Sequence, residues 1–214
     1  MKMTFRWYGP DDPVTLDNIR QIPGMTGVVT AVYSVPVGEV WPEEEILKLK
    51  AQVEAKGLEM EVIESVPVHE DIKLRRGNYQ QYIENYKENI RRLAKAGVKC
   101  ICYNFMPVFD WTRSQLDREL PDGSNALVYY KEHVAQMDPT KLALPGWDSS
   151  YSTEEMAELI QAYKDLGEEG LWENLAISST KLCRQQSNLM STWEFIRMIT
   201  VVILEFRESL HARR

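Results

Sequence analysis

Four side chains that could share one ligand stand close together in the chain: Asn104, Asp110, Trp111 and Arg113. They follow the short apolar run Val98 to Tyr103, which begins after a helix that stops at Gly97. Such a run reads as a strand buried on both faces. Pro107 ends its ladder, so the four lie just beyond the strand's C-terminal end, where parallel α/β folds bind ligands. A guanidinium grips a carboxylate bidentately, an amide and a carboxylate hold hydroxyls, and an indole covers a C–H face. Together they suit a polyhydroxylated acid. The plain alternative is a polar strand-to-helix loop with a helix cap.

The elements needed to position these groups can be followed along the chain. Met3 to Tyr8 is a first strand closed by Arg6, Trp7 and Tyr8, and Gly9-Pro10 turns the chain away. Thr15 to Gln21 is a short helix, and Gly27 to Val32 a second apolar strand. Pro42-Glu43-Glu44-Glu45 opens a helix with carboxylates at the positive end of its dipole. Ile46, Leu49 and Val53 form its stripe, and Gly57 ends it. Leu58 to Ile63 is a third strand. Asn78 is the expected cap of a helix over 79–96 with Tyr82, Tyr86, Ile90 and Leu93 on one face. Ser124 to Met137 reads as another helix, Pro139 to Ser152 as a loop, and Thr153-Glu154-Glu155 as the start of a helix ending at Leu166. A further helix starts near Leu171-Trp172.

This is β-then-α repeated four times, with the longer loops after the strands, and it predicts a parallel sheet with right-handed crossovers. Four such units make half of a (β/α)8 barrel. A doubly wound sheet is the other arrangement, and the lack of a glycine-rich phosphate loop after the first strand counts against it.

The net charge of −7 argues against a nucleic-acid partner and brings no basic patch to a membrane surface. No run approaches the roughly 18 apolar residues of a membrane span, and Met1-Lys2-Met3 enters Phe5-Arg6-Trp7 without the apolar core of a signal peptide. Three cysteines make no disulfide framework. Cys100 and Cys102 are expected as free core thiols, which fits a reducing, cytoplasmic compartment.

From Ile177 the character changes. Lys181, Arg184, Arg197, Arg207, Arg213 and Arg214 outweigh Glu194, Glu205 and Glu208, so a basic tail follows an acidic front portion. Ser178 to Ser191 shows neither helical nor strand period. Back-translating Thr192 to Ile199 in a shifted frame permits Met-Gly-Ile-His-Pro-Asp-Asp, whose glycine and last aspartate are forced by the codons of Trp193 and Met198. The expected division is therefore 1–176 as a half-barrel and 177–214 as an out-of-frame, poorly structured tail.

Residues 1–176 resemble the mannonate dehydratase family. The resemblance runs through Phe5-Arg6-Trp7-Tyr8-Gly9, Val32 to Trp41, Glu64-Ser65-Val66-Pro67-Val68-His69, Tyr103 to Pro107, Phe109 to Arg113, and Gly170 to Leu175. It covers about the first half of a family chain, and the family's next segment carries the His-Pro-Asp-Asp that the shifted frame permits. The resemblance implies a partial TIM barrel of the xylose-isomerase type, holding the first four to five βα units. It implies a lyase that removes water from D-mannonate to give 2-dehydro-3-deoxy-D-gluconate in glucuronate catabolism. It also implies an Fe2+ or Mn2+ ion held by His, Cys and Asp side chains on later strands. Those ligands and the acid and base fall outside this chain, so neither metal binding nor catalysis is expected of it; a homo-oligomer is an expectation for the full-length enzyme only.

What this portion would retain is substrate holding. Arg6 and Arg113 are candidates for the carboxylate or neighbouring hydroxyls, Asn104 and Asp110 for hydroxyls, and Trp7, Tyr8 and Trp111 for walls. Arg6 could instead be an ion-pair partner at the barrel mouth, and the aromatics packing residues. His69, beside Glu70 and Asp71, invites a metal reading, but three adjacent side chains cannot all face one ion in extended chain, and a solvated loop is favoured. Two other readings stay open: a metal-dependent sugar isomerase or epimerase on a similar barrel, and a non-catalytic interaction fragment.

Overall fold

The computed structural model describes residues 2–107, 113–134, 136, 152–187 and 194–198. In chain order the elements are β1 (Met3–Arg6), α1 (Leu16–Arg20), β2 (Met25–Thr30), α2 (Glu43–Glu54), β3 (Glu59–Ile63), α3 (Glu70–Leu74), α4 (Tyr79–Lys95), β4 (Cys100–Asn104), β5 (Gln115–Glu119), β6 (Asn125–Val128), α5 (Lys131–Val134), α6 (Thr153–Ser187) and β7 (Glu194–Met198). The described residues fall into two compact units, one within 2–105 and 173–198 and the other within 106–172.

The first unit is built on a parallel sheet in the order β1-β2-β3-β4-β7. Its first four strands follow chain order, as successive right-handed crossovers require, and make the curled wall of a partial (β/α)8 barrel. The wall's packing comes from one apolar stripe per helix. Leu16 and Ile19 of α1, Ile46, Leu49 and Val53 of α2, and Ile83, Tyr86, Ile90 and Leu93 of α4 are all buried, as are Val28, Ile63 and Ile101 of the strands. Each such aliphatic side chain contributes roughly 1.5–3 kcal/mol. Thr15 caps α1 in a reciprocal capping box with Asn18.

On α4 the buried stripe runs through Ile83 rather than Tyr82, which is half-buried. Asn78 precedes that helix without a side-chain cap. One row of α4 has a different task. Asn85 Nδ2 donates to Gly38 O at 2.9 Å, and Asn89 Nδ2 to Glu39 O at 3.1 Å. Asn89 Oδ1 accepts from Trp41 N–H at 2.7 Å, and Arg92 Nη1 donates to Trp41 O at 2.8 Å. Three polar residues at positions i, i+4 and i+7 thus bind the backbone of the β2–α2 loop and seat Trp41, 1% exposed, in the core. Gly38 has φ +89, and a Cβ there would meet the Tyr82 ring at 2.7 Å, so only glycine fits.

Three further sequence expectations change. The turn α3 arises where a loop was expected, because His69 caps it through Nδ1, an unusual capping residue. The helix expected over 124–137 is replaced at Asn125–Val128 by the strand β6, antiparallel to β5, and is helical among the described residues only at α5. The deciding chemistry is Pro121-Asp122-Gly123-Ser124: the Asp122 carboxylate accepts from Ser124 N–H and Oγ at 3.0 and 2.7 Å, and Gly123 takes φ +80. The third change is at α6, which crosses Ala176–Ile177 and continues to Ser187. Asn174, Leu175, Ser178 and Leu182 are its buried face. Two of those are polar, which hid the helical period: Asn174 Nδ2 donates to Lys73 O at 2.9 Å, and Ser178 Oγ lies 2.9 Å from Tyr103 Oη.

In the second unit the first part of α6 starts from a capping box of Ser152 and Glu155, one residue before the expected Thr153. It buries Met156, Leu159, Ile160 and Tyr163. Gly167, at φ +70 and ψ 177, breaks the helix just after Leu166, where the sequence placed its end. No helix among the described residues is long and apolar enough to cross a membrane.

Candidate functional site

Alternation along β4 decides which groups face the inside of the wall. Tyr103 packs edge-on to Tyr86 of α4, centroids 5.6 Å apart, and bonds Ser178 of α6, so it faces the helices. Cys100, Cys102 and Asn104 therefore face the other way. On that side Cys102, midway along β4, lies near the charges of Glu64 and Arg6 at the ends of β3 and β1, and Asn104 ends β4.

Arg6 is the last residue of β1. Its Nη1 donates to the backbone carbonyl of Glu64 and lies 3.5 Å from the Glu64 carboxylate. The guanidinium carbon stands 4.8 Å from the centroid of the Tyr8 ring, a cation–π contact. Glu64 directly follows β3, and its N–H extends the ladder onto Thr30 O at 2.9 Å. Cys102 lies in the field of both charges. Burial first, and the Glu64 carboxylate second, push its thiol up to about 12, so it stays protonated. Burial likewise raises the Tyr33 phenol, against the opposing pull of Arg6.

Asn104 ends β4, and its Oδ1 is buried without a hydrogen-bond partner among the described residues. An orphaned buried acceptor costs about 1–3 kcal/mol. A ligand hydroxyl donating to it would remove that cost.

The other expected site residues divide. Trp7 is 4% exposed and donates its backbone N–H to Val29 O at 2.9 Å. Tyr8 is 62% exposed, with its ring over Arg6. Arg113 belongs to the second unit, where it is half-buried just before β5. Asp110 and Trp111 lie outside the described residues. His69 is neither a solvated loop residue nor held open for an ion. Its Nδ1 accepts from Asp71 N–H at 3.0 Å, and its ring stacks on Tyr82 at 3.8 Å. Burial depresses its pKa against the nearby Asp71 and Glu70 carboxylates. Among the described residues, no three or more His, Cys, Asp or Glu side chains are grouped so as to hold a metal ion. Cys102 is buried, Cys100 half-buried and Cys183 exposed.

Sequence reasoning did not name Glu64 or Tyr33 as site residues. Both signals were present: each is a polar residue within three positions of a strand's C-terminal end, in a fold that puts ligands there.

Comparison with known proteins bears on all of this. The family model described as D-mannonate dehydratase (UxuA) matches residues 1–182. Mannonate dehydratase of Streptococcus uberis is 62% identical over 177 residues, covering 82% of this chain and 51% of the relative. That of Streptococcus pneumoniae is 60% identical over 178 residues, covering 82% and 49%. The crystal structure of mannonate dehydratase from Streptococcus suis serotype 2 superposes with a TM-score of 0.81 at 49% identity, over 91% of this chain and 53% of that one. The chain spans about half the length of the curated relatives it matches.

Proposed function

The chain belongs to the D-mannonate dehydratase family, and from that premise we propose that it is the substrate-holding front portion of a hydro-lyase that converts D-mannonate to 2-dehydro-3-deoxy-D-gluconate. The reaction abstracts the weakly acidic proton on C2, beside the carboxylate, and expels the C3 hydroxyl, so the substrate must be gripped at the carboxylate and along its hydroxyls. Arg6 is assigned to the carboxylate, Asn104 to a hydroxyl, and the exposed Tyr8 ring to a C–H face. Trp7, Asp110, Trp111 and Arg113 are proposed as further substrate contacts on the family resemblance alone. What supports the reading is that Arg6 and Asn104 each end a strand of one parallel sheet, and that the buried Asn104 Oδ1 has no hydrogen-bond partner among the described residues.

The intact enzyme is proposed to use Fe2+ or Mn2+, to act in glucuronate breakdown in the cytoplasm, and to oligomerise at full length. The described residues offer no group that fits such an ion, so no step is assigned to one here. Residues 177–214 are proposed as an out-of-frame extension. An isomerase reading is not favoured, since the relatives compared carry the dehydratase name.

Saturation-transfer NMR with D-mannonate tests the proposal. Binding to the 214-residue chain is expected, weakened at least about tenfold in Arg6→Ala and severalfold in Asn104→Ala, as for lost charged and neutral hydrogen bonds. No thiobarbiturate-reactive 2-keto-3-deoxy acid is expected to form. Equal signal in all three proteins refutes the assignment of residues, and formation of product refutes the reading of this chain as holding substrate without turning it over.

A further inference from the structure

We infer that Glu64 is a positioning residue, which clamps Arg6 through one nitrogen and leaves the opposite edge of its guanidinium free for a substrate oxyanion. This rests on the assignment of Arg6 to the substrate carboxylate.

Two groups of the same residue converge on Arg6 Nη1, the Glu64 backbone carbonyl and, at 3.5 Å, its carboxylate. The Glu64 backbone is itself fixed, because its N–H continues the β3-to-β2 ladder onto Thr30 O. The Tyr8 ring lies across the guanidinium at 4.8 Å and limits its tilt. One nitrogen is thus held in the plane and one ring restrains the plane. Nε and Nη2 have no partner among the described residues, and they form the side-on pair of parallel N–H donors that matches the two oxygens of a carboxylate. A free arginine loses considerable rotamer entropy when it grips an anion; a clamped one has lost it already. The nearby Cys102 thiol stays uncharged, so it does not compete for the free edge. The rival account is that Glu64 merely neutralises Arg6 and competes with any anion.

The two accounts differ in a measurement made without ligand and in another made with it. The full chain, labelled at the arginine guanidinium nitrogens, is compared as wild type, Glu64→Gln and Glu64→Asp. Rotation of the Arg6 guanidinium about Nε–Cζ is expected to be slow in the wild type, several times faster in Glu64→Gln and partly restored in Glu64→Asp, with unchanged melting temperatures. D-Mannonate binding is expected to weaken about three- to fivefold in Glu64→Gln, the size of a part-exposed ion pair. Rotation that ignores the substitution overturns the inference, and so does D-mannonate binding that is unchanged or tighter in Glu64→Gln. Rotation that depends on Glu64 in a chain that binds no D-mannonate leaves the clamp standing and refutes the substrate assignment instead.

Discussion

Asn89→Ala should be among the most damaging single substitutions in the first unit, although it removes neither an apolar side chain nor a charge. Asn89 is 2% exposed. It accepts from Trp41 N–H at 2.7 Å and donates to Glu39 O at 3.1 Å. Truncation leaves the Trp41 N–H, on a buried residue, without its partner, which costs about 1–3 kcal/mol. Glu39 is exposed, so water can reach its carbonyl and the second loss is nearer about 1 kcal/mol. The sum is about 2–4 kcal/mol. Asn85→Ala is the internal control: it deletes one bond, to Gly38 O, from a half-buried position and should cost about 1 kcal/mol. Urea unfolding followed by tryptophan fluorescence at sub-micromolar concentration gives both values, and amide exchange at Trp41 locates the effect. If Asn89→Ala unfolds within about 0.5 kcal/mol of Asn85→Ala, the argument from buried backbone groups is wrong.

Three further outcomes are expected. His69 caps α3 as a neutral ring, and its folded pKa is depressed by burial; the stability it contributes is therefore complete above an unfolded value of about 6.5 and is lost as pH falls from there through the folded pKa. Melting temperature against pH should show that acid-side loss in the wild type and a flatter profile in His69→Phe. Gly38→Ala sets a Cβ 2.7 Å from the Tyr82 ring at φ +89 and should cost about 1–3 kcal/mol, read from the same urea titration. Timed alkylation at pH 8 with peptide mapping should modify exposed Cys183 first and Cys102 last, since burial and the Glu64 charge hold the Cys102 thiol near 12.

Where burial follows apolar pattern, the chain can be read directly. The strands after Gly24, Gly57 and Gly97 and the stripe Ile46, Leu49 and Val53 are visible because parallel strands and their covering helices need those residues. Where polar side chains do the packing, the pattern is silent. Asn174 and Ser178 occupy buried helical positions through hydrogen bonds, so the apolar period of α6 fades near 177. In β5, only Gln115 is less than exposed, which leaves no alternation to find; the Asp122-Gly123 turn was the available clue. The site followed the same division. Arg6 and Asn104 could be named from their place at strand ends, whereas the hold of Glu64 on Arg6 joins residues 58 positions apart and needs the sheet order to be seen.

The row of Asn85, Asn89 and Arg92 has a bearing on engineering. The segment that carries Gly38 to Trp41 leaves β2 but takes its shape from α4, the fourth element after that strand. Grafting that segment alone into another barrel would strip it of its mould. Anyone remodelling this rim would have to transplant the Asn85–Asn89–Arg92 row of α4 with it, so the unit of exchange is a discontinuous pair rather than a loop.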